Sequence, residues 1–108
     1  MLWGVDMIIV LKILPKDFSM LAELELSNGE IINLGDAKYF FIKDNAENER
    51  FELYVKYYYY KEGLVESYKN KYQLAKQLSD ITVNLNHARI SYEYTKDFST
   101  WLQTTRNY

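Results

Sequence analysis

The sequence predicts a mainly β, α+β fold: a small bent sheet or a partly closed barrel of six to seven strands with two short helices, in one domain spanning residues 1–108. Three observations carry this. Most of the chain runs in short β-branched or aromatic segments whose apolar residues alternate with period two, the pattern of half-buried strands. Asn28-Gly29 stands between two such segments, a strong hairpin signal because both central residues of the turn need positive φ. Only two segments carry a helical period. So many strands bury both faces most simply by bending toward closure; an open α+β sandwich is the alternative.

Taken in order, residues 7–14 (MIIVLKIL) read as a buried strand. Residues 20–27 (MLAELELS) alternate Leu24 and Leu26 with Glu23 and Glu25, and residues 30–34 return as the second arm of the hairpin. Gly35-Asp36 marks a turn before residues 38–43 (KYFFIK), and residues 44–49 (DNAENE) make a polar loop. Residues 50–61 (RFELYVKYYYYK) form the longest strand pattern, with Phe51, Leu53, Val55, Tyr57 and Tyr59 on one face and Glu52, Tyr54, Lys56, Tyr58 and Tyr60 on the other. The period changes over residues 65–78, where Tyr68, Tyr72, Leu74, Ala75 and Leu78 follow helical spacing opposite Lys69, Gln73 and Lys76. Residues 81–85 (ITVNL) and 89–95 (RISYEYT) alternate as strands again. Asp97 can cap a short final helix carrying Phe98, Trp101 and Leu102.

The composition narrows function by exclusion. No cysteine is present, which removes disulfides, thiolate nucleophiles and cysteine-based zinc sites. The apolar run 7–11 has no basic residue before it and is broken by Lys12, too short for a secretory signal or a ~20-residue membrane span, so the expected location is the cytoplasm, with no membrane partner. His87 is the single histidine and falls where a turn should join two strands. The four glycines are isolated at positions 4, 29, 35 and 63, so no phosphate-cradling loop exists, and no nucleophile elbow surrounds any serine. Glu23 and Glu25 share a strand face, where like charges suit a solvated surface better than an acid–base pair. The expectation is a protein that is not an enzyme, with no catalytic residue, metal or cofactor.

What stands out is the aromatic content. Eleven Tyr, five Phe and two Trp exceed what a core of this size requires. The net charge of −2 hides an asymmetry: residues 17–52 hold nine acids against three bases, and residues 53–96 hold seven bases against four acids. Tyr54, Tyr58 and Tyr60 share a strand face with Lys56, and Lys61 follows; Lys38, Lys43 and Arg89 add charge if their strands are neighbours. Rings beside cations suit single-stranded nucleic acid, the bases stacking and the lysines holding phosphate. The candidate nucleic-acid residues are therefore Tyr54, Lys56, Tyr58, Tyr60, Lys61 and Arg89. The same rings also suit packing beneath a helix, or an interface with a protein partner or a second copy of the chain.

With this Tyr-rich strand, the early hairpin of residues 20–34 and the short terminal helix, the chain resembles the small plasmid-encoded PrgU-like proteins of enterococci. The resemblance covers most of the chain in size and element order, without a diagnostic motif. It implies a PUA-like β-barrel with short helices. It also implies a regulator of conjugative plasmid transfer that restrains production of surface adhesins by acting on RNA. A mobile-element inhibitor of similar size is the alternative.

Overall fold

The computed structural model describes residues 5–14, 23–26, 29–45, 47–59 and 61–103. Tyr60 and Asn28 lie outside the described residues, as do parts of the expected 20–27 segment.

The fold is α+β. Among the described residues, seven strands run β1 (Val5–Ile13), β2 (Glu23–Glu25), β3 (Ile31–Asn33), β4 (Ala37–Asn45), β5 (Arg50–Tyr57), β6 (Gly63–Tyr68) and β7 (Tyr92–Tyr94). Helix α1 (Lys71–His87) lies between β6 and β7, and α2 (Lys96–Leu102) follows β7. Five strands make one antiparallel sheet in the order β6-β5-β4-β1-β7, and β2 and β3 make a separate two-stranded sheet.

The hairpin forms where the alternation puts it. Leu24 faces Ile32 across β2 and β3, both buried, while Glu23 and Glu25 are exposed. Gly29 supplies the positive φ of the turn, at 91°. In the large sheet the inner face is built from cross-strand pairs, Phe40 with Val55 and Ile42 with Leu53, all essentially inaccessible to water. Leu74, Leu78, Ile81 and Leu85 of α1 and Phe98 and Trp101 of α2 close over that face in one core, together with the hairpin leucines. Register shifts at Ile9/Leu11, Ala37/Tyr39 and Leu53/Tyr54 are the kind of irregularity that bends a sheet.

Two expectations are corrected. The helix expected over residues 65–78 begins later, at Lys71, and the strand expected over 81–85 is its second half. Residues 63–68 are instead β6, with Val65 and Tyr68 buried. The cause is a cap. The Asn70 side chain accepts the Gln73 N–H at 2.9 Å, which starts a helix whose apolar stripe, Leu74, Leu78, Ile81 and Leu85, runs past the false alternation of residues 81–85. Within that alternation Val83 is 48 % exposed, so it never faced the core.

The sheet is also not a closed barrel. β6 and β7 are its two edges, and no pairing joins them among the described residues. Residues 81–85, expected as a strand, are helical and contribute Ile81 and Leu85 to the core over the inner face instead.

Candidate nucleic-acid interface

Both helices pack on the inner face, so the opposite face presents every second residue of β1, β4 and β5. Cross-strand rows run Met7–Lys43–Glu52, Ile9–Phe41–Tyr54 and Lys12–Tyr39–Lys56. The middle row is apolar and aromatic, and lysines stand in the rows on either side. Phe41 is fully buried yet lies outside the main core. The Tyr54 ring stacks on it at 5.2 Å and the Tyr39 ring meets it edge-on at 5.9 Å.

Tyr54 and Lys56 thus share this face, as the alternation of residues 50–61 predicts. Tyr54 is nevertheless a poor stacking platform. Besides Phe41, its ring carries the Lys43 ammonium 4.5 Å from its centre. Burial, followed by the Glu52 and Glu62 carboxylates, raises its hydroxyl pKa above the ordinary tyrosine value. Those acids also repel phosphate, and Glu62 sits 3.8 Å from the Lys43 ammonium.

The accessible rings lie one step further along. β5 ends at Tyr57, whose half-buried ring packs 3.4 Å from where a side chain at Gly63 would start. A glycine is what that close approach allows. Beyond it Tyr58 is 52 % and Tyr59 76 % exposed, their ring centres 6.4 Å apart. Tyr59 is therefore not part of the core-facing set in which the alternation places it, because the strand stops before it.

The backbone at this rim is braced. The Tyr58 N–H donates to the Asp36 carbonyl at 3.0 Å, bringing the end of β5 against the turn between β3 and β4. Asn33 stiffens that turn: its side chain donates to the Asp36 carboxylate at 2.9 Å and accepts the Gly35 N–H at 3.0 Å. Lys38 follows the same turn, and its ammonium lies 5.7 Å from the centre of the Tyr58 ring. Lys56 is on the last turn of strand before the rim, and exposed Lys61 follows it.

Arg89 does not join this group. It precedes β7, which β4 and β1 separate from β5, so about 14 Å of sheet lies between the two strands. It ends α1 in the left-handed region at φ 58°, with the Ile90 N–H bonded back to the Leu85 carbonyl at 2.9 Å. The histidine is also displaced from the expected turn: His87 is the exposed last residue of α1.

The structure thus brings Lys38 against Tyr58 with Tyr59 exposed beside it, places Lys56 on the same sheet face as the occupied Tyr54, leaves Lys61 exposed three residues beyond Tyr58, and sets Arg89 apart from β5. No signal in the alternation marks the end of β5 at Tyr57. The strongest hint lies in the Gly63 that follows, a residue with room for a neighbouring ring. Among the described residues, no group of three or more His, Asp or Glu side chains is placed to hold a metal ion, and no helix is long and apolar enough to cross a membrane. No protein-family model matches this sequence, and no curated protein or solved structure matches it either.

Proposed function

We propose that the protein is a non-enzymatic regulator that binds single-stranded RNA at the rim formed by Tyr58, Tyr59, Lys38, Lys56 and Lys61. The observation that carries this reading is the pair of exposed tyrosines past the end of β5, its backbone braced on Asp36 and the Lys38 ammonium near the Tyr58 ring. Each base stacked on such a ring contributes about 1–3 kcal/mol by alanine substitution, and the ring tolerates any base. Three lysines and a net charge of −2 are too little to neutralise the many phosphates on which duplex affinity depends. A short unpaired segment suits both limits.

The regulatory setting comes from the resemblance to PrgU-like proteins: a cytoplasmic protein restraining the conjugation and surface-adhesin genes of a plasmid through their transcripts. The kinship to PUA-like domains belongs to the same proposal, supported by the register shifts in the large sheet. The test is titration of the protein with pooled cellular RNA at low salt. Binding that weakens as salt rises is expected; no measurable binding sinks the reading.

A second reading is favoured by Leu64, an exposed apolar side chain on edge strand β6 whose Cα partner is Tyr54. The aromatic face and that edge would then form an interface with a protein partner or a second copy. Light scattering separates the two. A monomer whose mass changes only with RNA fits the first, and a stable dimer at all concentrations fits the second.

A further inference from the structure

The outer face of the large sheet carries two rows with lysines, and their chemistry differs. In the row Met7–Lys43–Glu52 the Lys43 ammonium is engaged, 4.5 Å from the centre of the Tyr54 ring and 3.8 Å from the Glu62 carboxylate. The row Lys12–Tyr39–Lys56 has a cation at each end and no acid between them. Among the described residues neither Lys12 nor Lys56 forms an ion pair, and Lys12 is exposed. Tyr39 stands between them, half-buried, its ring centre 5.9 Å from that of Phe41. Tyr58 follows Lys56 by two residues, so this row begins where the tyrosine rim ends. It crosses β5, β4 and β1, about 10 Å from Lys56 to Lys12 at the backbone. On β7 the next residue of the row is Glu93, the Cα partner of Lys12.

We propose that single-stranded RNA bound at the rim continues across the sheet along this row, a third base stacking on Tyr39 and a phosphate held by Lys12. The inference rests on the rim binding RNA and names the path the strand takes from it. Stacking on a ring is indifferent to base identity, and a lysine holds a phosphate as a point charge. The contact with Phe41 restrains the Tyr39 ring before a base arrives, so less freedom is lost on stacking. The other paths over this face are closed. The middle row is filled by Phe41 and Tyr54 stacked on each other, and the row beyond it presents the Glu52 carboxylate, which repels phosphate. Glu93 does the same on β7, so the track ends at β1.

The experiment measures binding of a labelled oligouridylate octamer to the full chain across a salt series, for the wild type, Lys12→Gln, Tyr39→Leu and Lys76→Gln. Lys76 is an exposed lysine of α1, which packs on the opposite face, so its variant controls for net charge alone. Lys12→Gln should flatten the slope of log affinity against log salt by about 0.7 relative to Lys76→Gln. Tyr39→Leu should weaken binding at least about fivefold at low salt. Lys12 is exposed, so its variant keeps the test alive should Tyr39→Leu fail to fold. A Lys12→Gln slope equal to that of Lys76→Gln overturns the inference, and so does wild-type affinity in a folded Tyr39→Leu protein. If Tyr58→Ala combined with Tyr59→Ala still abolishes binding in that case, the rim stands without the track. No binding by the wild type overturns both.

Discussion

The indole N–H of Trp101 donates to the Asp44 carboxylate at 2.8 Å, joining α2 to β4 inside the core. Asp44 is 1 % exposed, and its strand neighbour Phe51 meets the Trp101 ring edge-on at 5.0 Å. From the other side the Lys71 ammonium donates to the Trp101 carbonyl at 2.8 Å and lies 4.6 Å from the ring centre. One side chain of a seven-residue helix thus ties together the sheet and the start of α1.

Replacing Trp101 with Phe keeps much of the packing but removes a donor from a buried carboxylate. Such a loss costs about 1–3 kcal/mol. Urea unfolding should show a lower midpoint with an unchanged slope. A midpoint equal to the wild type's would mean that the link contributes nothing.

The corrected helix has its own test. Asn70→Ala removes the cap of α1 and should cost about 1 kcal/mol. Val83→Pro places a proline in the interior of α1 at an exposed position, where it should cost about 3 kcal/mol or more. If residues 81–85 were an edge strand, proline there would be far milder, and circular dichroism would show no loss of helix.

Stability should also fall in alkali. Tyr54, Tyr57, Tyr68 and Tyr94 all have hydroxyl pKa values raised in the folded state, chiefly by burial. Above pH about 10 the unfolded chain gives up these protons while the folded chain keeps them, so unfolding gains. The stabilisation is complete below pH 10 and drains away as pH rises, by up to about 1.4 kcal/mol per pH unit for a group as buried as Tyr68. Urea midpoints between pH 8 and 11 should decline less steeply in Tyr68→Phe than in the wild type. Parallel declines would show that Tyr68 ionises normally in the fold.

These particulars indicate which features were legible in the chain. The hairpin, β4 and the first half of β5 follow from alternation because each element's burial is decided by its immediate partner, Leu24 by Ile32 or Ile42 by Leu53. The boundary between β6 and α1 was not legible. Val65, Tyr68, Tyr72 and Leu74 satisfy a helical period, and only the capping geometry of Asn70 separates strand from helix. Asp44 reads as the first residue of a polar loop and becomes the buried partner of Trp101, a contact across 57 positions that no local pattern encodes. The site was half legible for a similar reason. Residue types drew attention to the YYYY run, but the end of β5 at Tyr57 and the strand order that removes Arg89 are tertiary facts.

Arg89 therefore offers a control. A non-glycine residue in the left-handed region costs roughly 1–2 kcal/mol, offset in part by the freedom glycine has in the unfolded chain. Arg89→Gly should raise stability by up to about 1 kcal/mol in urea unfolding. Its affinity for RNA should equal that of the wild type at the same salt concentration. A large loss of affinity would return Arg89 to the site.

The most direct measurement is fluorescence anisotropy of a labelled single-stranded RNA at low salt, with wild type and with Tyr58→Ala combined with Tyr59→Ala. Both side chains are exposed past the end of β5, so the double variant should unfold at nearly the wild-type urea midpoint. Loss of two stacking rings should weaken binding at least about tenfold. Equal affinity for both proteins, or no binding by the wild type, would contradict the account.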